Sequence, residues 1–253
     1  MIKYIDINIL NEYTITYSYE NYMITNYSVE EIMRTRLCDR VLPNYTKEEE
    51  LFNFVSHVVG GAIGIVATVM CIIIAAMHGN AYGVVTSSIY GASMILLYTM
   101  SSIYHGLRPG MAKKVFQILD HCSIYILIAG TYTPIALCAI RKVSPTAAWW
   151  IFGIEWALAA IAIVFNAIDI KKYQILSMIC NLGMGWAVVF IYNIALEAMG
   201  FSNMMLVLAG GIAYTVGAVL YGIGKKKRYM HGLFHIFVLI GSLFHLAAIV
   251  CIL

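Results

Sequence analysis

Seven apolar runs, each long enough to cross a lipid bilayer, follow one another with only short polar connections from residue 48 onward. They occupy 52–77, 81–104, 116–140, 147–168, 174–196, 203–223 and 231–252. A hydrocarbon core about 30 Å thick takes about 20 residues to cross as a helix rising 1.5 Å per residue, and every run reaches that length. Membrane-spanning strands are shorter and alternate apolar with polar residues, which these runs do not. With no water in the bilayer to satisfy an open sheet edge, helices are the consistent choice. The predicted fold class is therefore all-α, a polytopic bundle of seven transmembrane helices. Composition agrees: 61% of residues are hydrophobic and 11% charged, where a soluble domain carries about a quarter charged residues. The mean hydropathy is +0.81.

Orientation follows from where Lys and Arg fall. The connection after the second run holds Arg108, Lys113 and Lys114, the one after the fourth Lys171 and Lys172, and the one after the sixth Lys225-Lys226-Lys227-Arg228. The opposing connections hold only Arg141 and Lys142, while Arg34, Arg36, Arg40 and Lys47 precede the first run. The N-terminus is expected in the cytoplasm and the C-terminus outside. The run 225–228 reads as a topology signal rather than a lipid-headgroup or nucleic-acid patch, and no nucleic-acid partner is expected of a chain whose net charge is +3. Residues 1–47, rich in Tyr, Asn, Thr and Ile, read as a poorly ordered cytoplasmic tail, separate from the membrane domain at 48–253. No short apolar segment with a small-residue cleavage site precedes Leu51, so the first run is expected to be a retained span. The six cysteines are scattered without a Cys-x-x-Cys pair and read as small buried residues.

Ionisable side chains within a membrane pair, bind something or face water. Most of those in this chain sit at one depth, toward the predicted cytoplasmic side. His105 ends the second run, Asp120 and His121 open the third, and His231 and His235 open the seventh. His231 and His235 are four residues apart, so their rings leave one helical face about 6 Å from each other. A helix supplies two ligands to one zinc ion in this way, and a third histidine at matching depth completes a three-histidine shell with room for water. Asp120 is then placed to accept or orient that water's proton, and Ser101, one turn before His105, to hydrogen-bond it or a substrate carbonyl. A metal-free hydrogen-bond network satisfies the same spacing. His245, ten residues beyond His235 and about 15 Å deeper, cannot share the ion. His57 is expected to make packing hydrogen bonds. His121 should point about 100° away from Asp120 and so off the site. Gly60, Gly61 and Gly64, like Gly183 and Gly185, are expected where helices pack closely.

The ordered motifs Glu50-x-x-Asn53-x-x-Ser56-His57-x-x-Gly60, Ser101-x-x-x-His105, Leu119-Asp120 with Gly130-Thr131-Tyr132-Thr133-Pro134, and His231-x-x-x-His235 with His245 resemble the hemolysin III family. That family belongs to the superfamily of the progestin and adipoQ receptors and, more distantly, the alkaline ceramidases. The resemblance covers residues 48–252. It implies a multi-pass protein of the bacterial cytoplasmic membrane with one zinc ion near the cytoplasmic leaflet. His105, His231 and His235 would be its ligands, Asp120 would contact the zinc-bound water, and Ser101 would neighbour that water. The activity it implies is hydrolysis of a lipid amide such as a ceramide, with the acyl chain admitted from membrane lipids. Two other classes stand beside it: a pore-forming cytolytic protein, as the family name suggests, and a ligand-sensing receptor without catalysis. Polar residues gathered at one end of the bundle give a water-filled pore little support.

Overall fold

A computed structural model of the chain describes residues 35–224 and 227–253. Most of the predicted tail at 1–47, and two of the four basic residues at 225–228, lie outside them. Among the described residues every regular element is helical: α1 (Lys47–Met77), α2 (Ala81–Gly106), α3 (Met111–Pro134), α4 (Pro145–Ile168), α5 (Gln174–Gly185), α6 (Ala187–Phe190), α7 (Tyr192–Gly224) and α8 (Met230–Val250). A short 3-10 turn, Leu37–Asp39, precedes α1.

Local chemistry sets where the helices begin. Thr46 and Glu49 form a capping box, with the Glu49 amide donating to Thr46 Oγ1 at 3.3 Å and the Thr46 amide to Glu49 Oε2 at 2.9 Å. Three glutamates fill the first turn of α1, where the helix dipole favours negative charge. Asn80 Oδ1 caps α2 by accepting from the Gly83 amide at 2.9 Å, and Ser144 followed by Pro145 opens α4.

Helix α1 shows how the bundle packs. Its buried residues are Glu49, Asn53, His57, Gly60, Gly64, Ala67, Cys71 and Ala75 along one stripe, while Val55, Val59, Val66, Val69 and Ile73 are exposed. Small and polar residues thus face protein and large apolar ones face outward, the pattern expected where lipid tails are as apolar as leucine. Gly60 is required by its neighbour: a Cβ there would lie 2.5 Å from the Tyr98 ring of α2. That ring cannot swing away freely, because Tyr98 donates its hydroxyl proton to Ser242 Oγ of α8 at 2.8 Å.

Helix α3 is the axis of the bundle. With its continuation to Val143, 83% of its apolar stretch is buried, against 22–50% in the other long helices. Pro134 lacks the amide that would continue the α-helical ladder, and the chain runs on as a π-helix, Ile135–Ile140, with every residue buried.

Six helices among the described residues are long and apolar enough to cross a membrane, including Met111–Val143 taken as one. The predicted fifth run, 174–196, is instead divided among α5, α6 and the start of α7, with breaks at Trp186 and Ile191. Tyr132 of α3 accounts for the first break. Its hydroxyl donates to the Gly185 carbonyl at 3.0 Å and accepts from the Val188 amide at 2.9 Å, taking over partners the helix would have used. The Val189 amide then bonds the Trp186 carbonyl in a tighter 3-10 fashion at 3.0 Å. A second irregularity lies inside α7, where Gly200 takes a φ of 74°. The close-packing expectation holds for Gly60 and Gly64 but not for Gly61, where a Cβ would make an ordinary 3.7 Å contact with Tyr98, nor for Gly183 and Gly185, where it would meet nothing within 4 Å. Gly185 serves through its carbonyl rather than through its missing side chain.

These contacts set an expected outcome for two matched substitutions. Gly60→Ala forces Tyr98 off its hydrogen bond or the helices apart, and should destabilise the bundle by about 1–3 kcal/mol. Gly183→Ala, in open space, should be neutral or gain up to about 1 kcal/mol of helix propensity. Thermal unfolding of the detergent-purified variants measures both; a Gly60→Ala protein as stable as Gly183→Ala would contradict the packing account.

Candidate metal centre

The chain brings His105, His231 and His235 together. One ring nitrogen from each lies within 4.8 Å of the others, a group that can hold a metal ion. His231 Nε2 is 3.0 Å from His235 Nε2 and 3.4 Å from His105 Nε2. A tetrahedral ion with bonds of about 2.1 Å holds its ligand nitrogens about 3.4 Å apart. The i, i+4 spacing on α8 supplies two of the rings and the last turn of α2 the third. Gly232, between the two α8 histidines, lets α1 come close: a Cβ there would be 2.6 Å from the Phe52 ring and 3.0 Å from Asn53 Oδ1.

The outer nitrogens decide what the inner ones can do. His105 Nδ1 is 2.6 Å from Glu50 Oε2, and the second oxygen of Glu50 pairs with Lys113 Nζ at 2.7 Å. An ionised carboxylate only accepts, so His105 carries its proton on Nδ1 and presents a bare lone pair at Nε2. His235 Nδ1 faces Ser56 Oγ at 3.5 Å, and that hydroxyl donates to the Asn53 carbonyl at 2.9 Å, leaving its oxygen to accept. His235 Nε2 is then bare as well. Two lone pairs and a third ring nitrogen converging at these distances repel one another unless a proton or a cation lies between them. The carboxylate behind His105 is the partner that fixes tautomer and ring orientation in metal-binding histidines. The residues present thus fit a metal ion.

Polar residues of α1 that sequence spacing left aside complete the surroundings. Glu50, Asn53 and Ser56 contact the metal candidates, and His57 lies edge-on to His235 with ring centroids 3.9 Å apart. His57 was expected to make packing hydrogen bonds. It is 4% exposed and neither ring nitrogen has a hydrogen-bond partner among the described residues. A polar face recurring every three or four residues in an otherwise apolar helix was the signal for this set. Tyr45, just before α1, stacks on His231 at 4.9 Å between centroids and an interplanar angle of 21°. Tyr45 lies outside the spans, and burial raises its hydroxyl pKa far above the usual phenol value, so it stays neutral over that cluster. Glu49 ties the entrance of α8 to α1 by accepting from the Tyr229 amide at 2.8 Å.

A cavity of about 170 Å³ opens beside the histidines and runs along α3. Ser101 and Asp120 line it together with His57, His231 and His235. The Ser101 hydroxyl lies beside the Asp120 carboxylate, and Ser123 Oγ donates to the Asp120 carbonyl at 2.6 Å. His121, expected to point away, also reaches the wall, with its ring 6.2 Å from that of Tyr221. The cavity is bounded by α2 on one side and by α5 and α7 on the other, so two residues 100° apart on α3 both flank it. His245 lines the inner end, away from the histidine cluster, as its spacing implied. His78 is exposed.

Comparison with known proteins gives the family. The family model described as "Haemolysin-III related" matches residues 45–246, which include every residue of the histidine cluster. The chain is 37% identical to "Hemolysin-3" of Bacillus cereus over 195 residues, 77% of this chain and 87% of that one. It is also 37% identical to the "Hemolysin-3 homolog" of Bacillus subtilis over 198 residues, 78% and 91% of the two chains. More distantly it matches the human "Monocyte to macrophage differentiation factor", 24% identical over 175 residues, 65% and 69%. No solved structure matches it. With six helices among the described residues long and apolar enough to cross a membrane, and a match that spans the bundle, the chain is a multi-pass membrane protein belonging to the haemolysin-III-related family.

Proposed function

We propose that the chain is a membrane-embedded, zinc-dependent hydrolase of a lipid amide of ceramide type. In this reading it crosses the bilayer seven times, with the N-terminus in the cytoplasm and the C-terminus outside. The broken segment 174–199 supplies the fifth crossing. One observation carries the reading: three imidazole nitrogens converge beside a carboxylate and a hydroxyl at one end of a largely apolar cavity. A network that only filled space would have no use for a void next to its polar groups.

His105, His231 and His235 would hold the ion, and Glu50, paired with Lys113, would keep His105 in its ligating tautomer. When bound, zinc supplies a Lewis acid and makes a water molecule reactive near neutral pH. The chain's own residues do the rest. The apolar wall holds an acyl chain and aims its amide carbonyl toward the histidines. Asp120 takes the proton of the attacking water at its carboxylate and returns it to the leaving amine as the carbon–nitrogen bond breaks. Ser101, beside Asp120, orients that water or the carbonyl oxygen. Tyr45, stacked on His231, excludes bulk water from the polar end.

Two measurements test this. Asp120→Asn should abolish release of fatty acid from a ceramide substrate, by a factor of at least about 100, while elemental analysis still finds one zinc per chain. Release of fatty acid at the wild-type rate would overturn the role of Asp120. Glu50→Gln keeps the shape but replaces the carboxylate behind His105, and should weaken zinc binding about 10–100-fold in competition with a chelator. Unchanged affinity would remove Glu50 from the centre.

A further inference from the structure

The inner end of the cavity has a polar group that the proposed hydrolysis does not use. His245 lies ten residues beyond His235 on α8, about 15 Å along the axis, the extended length of a dodecyl chain. Between the two ends the wall is largely apolar, with Leu97, Ile124, Leu127, Ile128, Leu182 and Val238 beside a few polar groups such as Asn181. His245 is 8% exposed, and its ring fills the space left by Gly210, where a Cβ would overlap it. Its Nε2 is 3.1 Å from the Val207 carbonyl. A carbonyl only accepts, so Nε2 carries the proton and Nδ1 is left as a bare acceptor. That Nδ1 is buried and has no hydrogen-bond partner among the described residues.

No side chain among the described residues supplies one, and most of the polar groups nearby are paired with one another. The Tyr214 hydroxyl, whose ring centroid is 5.4 Å from that of His245, bonds Ser242 Oγ at 2.8 Å. Trp186 Nε1 donates to Thr215 Oγ1 at 3.0 Å, and Thr215 in turn to the Gly211 carbonyl at 2.8 Å. Thr131 donates to the Leu127 carbonyl at 2.7 Å and Tyr132 to the Gly185 carbonyl at 3.0 Å. Each of these side chains except Ser242 lines the cavity, and each is satisfied within the protein. An unmatched acceptor on a buried side chain beside a largely apolar cavity costs free energy until something brings it a proton.

We infer that the cavity binds an amphiphile carrying a hydroxyl at the end remote from the histidine cluster, donated to His245 Nδ1. The inference rests on the proposed function only in placing a lipid chain in the cavity. The ligand class is an ω-hydroxylated chain of about twelve carbons, or a lipid of equal length with a terminal hydroxyl. A resident water could also satisfy Nδ1, and binding distinguishes the two.

The test uses the full chain in nanodiscs and three probes, dodecanoate, ω-hydroxydodecanoate and ω-methoxydodecanoate, with affinities from calorimetry. Wild-type protein should bind the ω-hydroxy acid about tenfold more tightly than the other two, as expected for a bond made to an otherwise unsatisfied buried acceptor. The methoxy probe keeps the oxygen and lacks the proton, so it should behave as the unsubstituted acid. His245→Gln places an amide nitrogen where Nε2 was, able to keep the bond to Val207, but has no acceptor at the Nδ1 position. It should bind dodecanoate as wild type does and bring the three probes to within about twofold. Equal affinities in wild type, or a hydroxyl preference that survives His245→Gln, would overturn the inference. None of the probes is an amide, and the ranking should persist in zinc-stripped protein. Absence of amide hydrolysis therefore leaves this result standing, and the reverse also holds.

Discussion

Glu50 joins three helices at one point. It reaches His105 on α2 at 2.6 Å and Lys113 on α3 at 2.7 Å, and Lys113 is only 3% exposed. A buried ammonium without its carboxylate is strongly destabilising, so the pair fixes how α1, α2 and α3 meet at this end of the bundle. The position of Glu50 is set one residue earlier, by the capping box between Thr46 and Glu49 that starts α1. From that start, Glu49 faces the entry of α8 and Glu50 faces His105. Asn53, Ser56 and His57 follow on the next turns against the histidine pair. A local rule of helix initiation thereby sets the register of the polar face that surrounds the candidate metal centre.

Depth along a membrane helix is legible in a sequence because every residue advances it by about 1.5 Å. That is why His105, His231 and His235 were identifiable as a group, and why His245 was correctly separated from them. Azimuth is less legible, because a direction around a helix has meaning only once its neighbours are known. His121 was assigned away from the site on azimuth alone, yet the cavity is wide enough to take both it and Asp120. Lys113 was counted among topology charges, since its partner Glu50 lies 63 residues away on another helix. The break in the fifth run was invisible for the same reason: Tyr132, 53 residues before Gly185, makes it. Glu155 was legible as an acid inside an apolar run and was passed over; it is 1% exposed, with no hydrogen-bond partner for Oε2 among the described residues.

Tyr132 has a double consequence. By occupying the Gly185 carbonyl and the Val188 amide it interrupts the helix, and the interrupted segment then forms one wall of the cavity. A straight fifth helix would need those backbone groups for itself. The irregular backbone lies against protein and beside a void, the setting in which a non-helical stretch is tolerated at membrane depth. The same tyrosine lines the cavity, so the residue that breaks the helix also bounds the space beside the break.

The two ends of that space differ in chemistry. At the histidine end, lone pairs are held close by groups behind them and are compensated by a cation or a proton. Along the middle, Leu, Ile and Val side chains measure length and bulk, and an apolar wall separates homologues by only about 1–3 kcal/mol per methylene. At the inner end, His245 Nδ1 has no partner among the described residues. A site of that kind discriminates through what it leaves unsatisfied: a chain that brings no donor buries Nδ1 without a partner, and the cost falls on every wrong ligand. Under the proposed reading, selectivity in such a cavity would be set at the end remote from the candidate metal centre, so affinity and reactivity could change independently on one scaffold.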